Sequence, residues 1–327
     1  AGLIPMVLPD YLPISLAANR ARFEKLWGVT LDPQPGLTVV EIMNAAAVGD
    51  IRGMYIVGEN PAMSDPDLKH ARQALASLEH LVVQDLFLTE TAIYADVILP
   101  ASAWPEKEGT VTNTNRQVQL GRQALPLPGD TRPDWWIMQE LARRLDLDWQ
   151  YDGPAAVYAE MRQAMPSLAN ISRDRLEREG SVSYPCAGDD QPGADVVFAD
   201  GFPTPSGRAG FVAAALLPPD EQPSTDYPLV LSTGRLLEHW HTGAMTRRSA
   251  ALDALEPAAV VTASDEDLRR LGIADGERVR LITRRGEIEA TAPDDPAVAA
   301  GSLWLPFCFH EAAAKRLTKP VLDPLGK

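Results

Sequence analysis

The densest collection of potentially chemical side chains lies between Leu231 and Gly243, where Thr233, Gly234, Arg235, Glu238, His239 and His241 follow one another closely. Arginine suits a phosphate or a planar polar ring, because its fork donates two parallel hydrogen bonds. Histidines two positions apart share one face of an extended strand, the geometry of a metal pair. A zinc centre needs three or four ligands and nothing nearby supplies the rest, so an anion or polar-ring contact and a plain surface placement stand beside that reading. The two cysteines offer less. Cys186 follows a proline among turn residues, and Cys308 sits between Phe307 and Phe309, where a buried structural thiol is expected. No Cys-x-x-Cys pair and no Gly-x-Ser-x-Gly elbow occurs, and runs such as Asp294-Asp295 read as solvated faces. The residues therefore point to ligand holding, with no catalytic group and no metal site among them.

Positioning such groups is the work of alternating strands and helices. Met54–Val57 reads as a strand ending at Gly58-Glu59-Asn60-Pro61, after which Ser64, with Asp67 three positions on, caps a helix reaching about Leu78. Leu81–Val83 is a second strand, ending at Gln84-Asp85. A helical stretch over Thr89–Tyr94 leads to a third strand, Val97–Leu99, ending at Pro100-Ala101-Ser102. Strands joined by such crossovers run parallel, so Asn60, Ser64, Gln84, Asp85 and Ala101 are expected at the sheet edge where these folds take ligands. The nicotinamide fingerprint Gly-x-Gly-x-x-Gly is absent, as is a Walker A loop, which leaves a different phosphate-bearing ligand or none and removes an ordinary NAD dehydrogenase from consideration.

Residues 104–132 read as a loop-rich stretch, followed by an amphipathic helix that opens on Asp134; an acid there is ordinarily a partner of the helix dipole. An irregular region runs on to Pro219. Composition then turns to β, with a strand at Tyr227–Ser232, a capped helix over Ser264–Leu271 stopped by Gly272, a hairpin of Arg278–Thr283 and Glu287–Ala292, and a strand at Gly301–Pro306. Strands with one short helix and Gly-rich turns suggest a small barrel. Both ends read as loops, and the sequence is expected to be part of a longer one. Net charge is −15, which argues against nucleic acid or anionic membrane as partner; the basic pairs Arg247-Arg248 and Lys315-Arg316 are left as candidates for a local anion. No apolar run reaches membrane-span length and no signal peptide is present, so the expectation is a soluble, cytoplasmic chain.

Ile-Val-Gly-Glu-Asn-Pro at 56–61, Val-Val-Gln-Asp at 82–85, Tyr-Ala-Asp-Val-Ile-Leu-Pro at 94–100, Glu-Gly-Thr-x-x-Asn-x-x-Arg at 108–116 and Leu-Ser-Thr-Gly-Arg at 231–235 together resemble the molybdopterin oxidoreductase family. Their order and spacing are similar to the C-terminal half of the catalytic subunit of a cytoplasmic, NAD-linked molybdenum or tungsten formate dehydrogenase. The resemblance implies an α/β plus β architecture: a parallel-sheet dinucleotide-binding domain over 1–103, a connecting region over 104–220 with an α/β excursion near 133–154, and a double-psi β-barrel over 221–327. It implies a metal held by two molybdopterin guanine dinucleotides. Asn60, Ser64, Val83, Gln84, Asp85 and Ala101 would surround one guanosine diphosphate moiety, with Asn60 where relatives often carry an aspartate on the guanine. Asp134 would approach the other. Thr233, Gly234, Arg235, Glu238, His239, His241 and Phe307 would meet the cofactor from the barrel. By the same resemblance the cysteine or selenocysteine metal ligand, its histidine and an arginine precede these residues. Formate would be oxidised to CO2, and electrons would pass through Fe-S clusters in preceding domains and partner subunits to FMN and NAD on a diaphorase partner within a hetero-oligomer. The alternatives are another enzyme on the same scaffold, such as nitrate reductase, and a cofactor-free relative in a complex I-like assembly.

Overall fold

A computed structural model describes residues 4–321. The chain opens with the short strands β1 (Val7–Leu8) and β2 (Leu12–Pro13) and helices α1 (Ala17–Trp27) and α2 (Val39–Ala47). Next come β3 (Gly53–Val57), α3 (Pro61–Ser64), α4 (Leu68–Ala76), β4 (His80–Asp85) and β5 (Val97–Pro100). Then follow β6 (Gly109–Thr112), β7 (Gln117–Gly121), α5 (Asp134–Arg144), α6 (Pro154–Ala164), α7 (Arg173–Glu179) and β8 (Ser181–Ser183). The last elements are β9 (Val230–Gly234), α8 (Ala250–Leu255), β10 (Thr262–Ala263), α9 (Asp265–Leu271), β11 (Glu277–Ile282), β12 (Glu287–Ala292) and β13 (Ser302–Pro306). None of the described helices is long and apolar enough to cross a membrane. By proximity the chain forms two compact units, each of two separated segments: Ala1–Leu37 with Pro100–Ala215, and Thr38–Leu99 with Leu216–Lys327.

In the second unit, β3, β4 and β5 lie side by side, and β3 pairs with β4 in parallel with Val57 opposite Gln84. The apolar run of β4 puts Leu81 and Val83 into a core with Met43, Ile56, Ala62 and Leu75. Each such side chain contributes about 1.5–3 kcal/mol on leaving water. The helix expected from Ser64 to Leu78 is broken in two. Pro66 disfavours helical backbone at the residue before it; Asp65 is extended, and the second helix starts afresh with Asp67 as its cap, accepting from the His70 amide. Ser64 is therefore the end of a short helix and caps nothing, its hydroxyl donating to Asp65.

The same unit contains a second parallel pair, β9 and β13, with Gly234 opposite Pro306, while β10 pairs with β13 antiparallel. β11 and β12 form the expected hairpin. Ser264 caps α9 and Gly272 ends it at φ +70, as read from the sequence. Val261, Leu268, Leu281, Ile288, Leu305, Phe309 and Leu317 fill the core between them.

The first unit is more regular than its sequence suggests. Glu108–Arg116, expected as loop, contributes to the antiparallel sheet β6–β7–β8, and the irregular region after it contains α6 and α7. α1 here, like α2 in the second unit, was likewise not expected. Phe23, Val118, Tyr158, Ile171 and Leu176 close a core of their own.

Candidate functional site

Parallel pairing of β9 with β13 carries the chain out of both strands at the same end. Arg235 follows Gly234 and Phe307 follows Pro306, and the guanidinium of Arg235 lies over the Phe307 ring, 5.5 Å from its centroid. His241 meets the same ring edge-on with centroids 5.2 Å apart, and the Lys315 ammonium stands 5.1 Å from the ring centroid. Three cationic or titratable groups thus gather on one buried phenyl ring. Among the described residues, neither Arg235 nor Lys315 has an ion pair. Burial holds His241 below its ordinary range, with Arg235 adding to the shift, and burial, with Arg235 again, lowers Lys315.

Backbone geometry supports the cluster. At Gly234 a Cβ would come within 2.5 Å of Trp304 Nε1, so glycine is required for β13 to lie this close. His241 has φ +50, in the left-handed region, so the two histidines do not share the face of an extended strand. They diverge. His239 is fully buried, edge-on to Phe309, with Nε2 bonded to the Glu256 carbonyl and Nδ1 without a partner among the described residues. No metal-holding group of His, Cys, Asp or Glu occurs among the described residues. Cys308 is buried and its thiol is pushed up to about 11 by that burial, as suits a structural role. Thr233 and Gly234 belong to β9, and Glu238 is half-buried on the loop beyond.

The ends of β3 and β4 carry the acidic counterpart. Asn60 is buried and engaged: its carbonyl accepts from the Thr91 amide and hydroxyl, and its amide donates to Glu90 at 2.7 Å. Thr91 in turn accepts from the Ala62 amide. Asn60 thereby ties the loop after β4 to the loop after β3, a link between residues 31 apart in sequence. Gln84 is fully buried and accepts from the Tyr55 hydroxyl. Val83 lies wholly in the core and offers only backbone to any ligand. Asp85 accepts from the Leu86 amide and is raised by burial. Asp65, beside Ser64, is pushed up to about 6 by burial, opposed by the Ser64 hydroxyl, with Glu59 adding to the rise and Lys315 opposing it. Arg248 bridges the two strand-end sets within this unit, lying 4.8 Å over the Phe87 ring and donating to the Leu88 carbonyl.

Lys315 is the residue that sequence reading did not place in the site. Its only signal was the basic pair Lys315-Arg316 in an acidic chain. A cleft of about 560 Å³ lies elsewhere in the unit, walled by Leu231, Val261, Leu268 and Val279, and its charged rim of Arg284 and Arg285 is already paired with Glu221. The cations without an ion pair among the described residues, and not cleft volume, favour the Phe307 cluster.

In the first unit, Ala101 is buried and bridges Arg132, and Asp134, at the start of α5, is ion-paired with Lys107.

Two family models match the chain: molybdopterin oxidoreductase over residues 13–144 and molybdopterin dinucleotide-binding domain over residues 229–327. The chain is 39% identical to the F420-dependent formate dehydrogenase subunit alpha of Methanocaldococcus jannaschii, covering 100% of this chain and 48% of that protein. It is 34% identical to the assimilatory nitrate reductase catalytic subunit of Bacillus subtilis, covering 98% of this chain and 47% of that one. It thus spans about half the length of these curated relatives. The fold resembles acetylene hydratase from Pelobacter acetylenicus, with a TM-score of 0.67 at 19% identity over 89% of this chain and 42% of that one.

Proposed function

The chain belongs to the molybdopterin oxidoreductase family, and on that premise we propose that it is the cofactor-holding part of a formate dehydrogenase that oxidises formate to CO2. The observation that carries this reading is the gathering of Arg235, His241 and Lys315 on Phe307 with no ion pair to Arg235 or Lys315 from the described chain. An anionic group fits there, and the polar residues Gln84, Asp85 and Asn60 at the ends of β3 and β4 suit a nucleotide's base and ribose. The group so held is a bis-(molybdopterin guanine dinucleotide) carrying molybdenum or tungsten. When bound, it supplies the acceptor for the electron pair that leaves formate, and this chain's residues bind and orient it.

Residues 1–103 take one dinucleotide in this reading, with Ser64, Val83 through its backbone, and Ala101 among the contacts. Asp134, near the 133–154 excursion, serves the other. Residues 221–327 form a double-psi barrel that caps both, contributing Thr233, Gly234, Arg235, Glu238, His239, His241 and Phe307. His239, being wholly buried, acts by holding its loop. The metal ligand, Fe-S clusters, FMN and NAD belong to the remainder of the assembly, a cytoplasmic hetero-oligomer with a diaphorase partner.

Two relatives frame the competing outcomes: one is named for F420 and one for nitrate reduction. Assays of the intact complex with formate and a redox dye, with nitrate and reduced dye, and with NAD or F420 as acceptor separate them. Formate-dependent reduction of dye and of NAD is expected. Nitrate reduction without formate oxidation would replace the proposed substrate, and F420 reduction without NAD reduction would replace the acceptor alone.

A further inference from the structure

The basic pair Arg247-Arg248, which the sequence offers as a site for a local anion, is used in another way. Both residues lie on the helical turn Thr246–Arg248, which closes the loop carrying Arg235 and His241. The turn is tied back into that loop: the Trp240 amide donates to the Thr246 hydroxyl at 3.0 Å, and the Arg247 amide to the Gly243 carbonyl at 3.0 Å. From there the two side chains reach different neighbours.

Arg247 reaches the run after β13. Its Nη1 donates to both carboxylate oxygens of Glu311 at 2.7 and 2.8 Å, its Nε donates to Asp253 of α8 at 2.9 Å, and its guanidinium lies 4.5 Å from the Phe309 ring centroid. Its stem passes close to Gly243, where a Cβ would come within 2.7 Å of both Arg247 Cγ and the Cys308 carbonyl. His239 meets the Phe309 ring edge-on, so this ring is held by one arginine and one histidine, as Phe307 is met by Arg235 and His241. Two carboxylates already neutralise Arg247, so it offers no charge to an anion.

Arg248 reaches the loop after β4. Its Nη2 donates to the Leu88 carbonyl at 3.1 Å, and its guanidinium lies 4.8 Å from the Phe87 ring centroid. Shortly after Leu88 come Glu90 and Thr91, the two partners of Asn60. One turn therefore joins the backbone that carries Arg235 and His241 to the backbone that carries the Asn60 network, through a contact between residues 160 apart in sequence.

We propose that Arg247 and Arg248 form a staple that sets the loop after β9 against the loop after β4, and that both are positioning residues for the cofactor-facing groups those loops carry. The assignment rests on the cofactor-holding reading above, and in it neither arginine touches the ligand. Groups that meet one ligand from two loops bind it tightly only when the loops are held in place beforehand, and the staple supplies that preorganisation.

The test uses the full-length protein freed of cofactor, followed by amide hydrogen exchange and by calorimetric titration with guanosine diphosphate. Arg248→Gln is expected to raise exchange over residues 86–91 and to weaken guanosine diphosphate about 5- to 10-fold, the loss of one hydrogen bond and one cation–ring contact, with the melting temperature unchanged. Arg248→Lys, which keeps a cation over Phe87, should recover part of the affinity, and Phe87→Leu added to Arg248→Gln should weaken binding no further. Arg247→Lys keeps the charge and loses the fork that joins Asp253 to Glu311; it should raise exchange over residues 240–246 and weaken binding by a similar factor. Arg278→Gln, at an exposed position of β11, should change neither. Wild-type affinity or wild-type exchange in Arg248→Gln, with guanosine diphosphate bound by the wild type, would overturn the staple and spare the cofactor reading. A wild-type protein that does not bind guanosine diphosphate would overturn that reading and the positioning role with it. An Arg248→Gln protein that failed to fold would also overturn the assignment, because this exposed arginine would then be structural.

Discussion

Two arginine environments in this molecule, one buried around Arg175 and one exposed around Arg235, look alike by residue type and differ in what they leave over. In the first unit Arg175 is almost wholly enclosed and every edge of its guanidinium is used: Nε on Glu179, Nη1 on the Asn170 and Gly188 carbonyls and Cys186 Sγ, and Nη2 on the Gln191 carbonyl at 2.6 Å. In the second unit Arg235 has a ring beneath it, Lys315 beside it and no ion pair among the described residues. Saturation marks a structural cation, and an unspent fork marks a ligand's place. Cys186 follows the same logic: its thiol sits inside the Arg175 cage between the Gly188 and Gln191 carbonyls and serves the loop.

The comparison breaks most visibly at Arg175. Arg175→Leu strands three carbonyls and the Glu179 carboxylate, and the expected loss is about 3–5 kcal/mol. Thermal unfolding and limited proteolysis check it, with first cleavage expected between residues 170 and 191. A wild-type melting temperature would mean that the cage contributes little and that saturation is a poor guide.

A smaller effect sharpens the other side. Asp65 titrates at about 6 in the folded chain and near the ordinary value of about 4 when unfolded. Between those values the folded state holds the extra proton, so the stability contributed is present below about pH 4 and is lost as the pH rises through 6. Asp65→Asn is therefore expected to stabilise the protein by roughly 2–3 kcal/mol at pH 7 and by nearly nothing at pH 4. Urea melts at the two pH values measure the difference. An equal effect at both would place the benefit in packing and not in the buried charge.

Much of the local architecture was legible. The hairpin of β11 and β12 follows from apolar alternation on either side of Arg284-Arg285-Gly286, and α9 from Ser264 and Gly272 at its ends. Some signals were present and unused. Thr38 with Glu41 is a capping box for α2, Gly28 closes α1, and Pro66 forbids the long helix drawn through it. The site was legible only in part, because its decisive contacts are non-local. The Asn60 amide is taken by Thr91 and Glu90, and Arg235 and Lys315 come together only through the parallel register of β9 with β13 and the turn beyond it. Residue type named the arginine; topology alone brings the lysine to it.

The central claim is that the Phe307 cluster holds a guanine dinucleotide cofactor. Acid hydrolysis of purified full-length protein, with released guanosine monophosphate and bound molybdenum or tungsten quantified together, tests it most directly. The account predicts about two guanosine monophosphates per metal in the wild type, and a marked depletion of both in an Arg235→Ala protein whose melting temperature is unchanged. Protein prepared with ample molybdate and tungstate that carries neither nucleotide nor metal, or an Arg235→Ala variant loaded like the wild type, would contradict it.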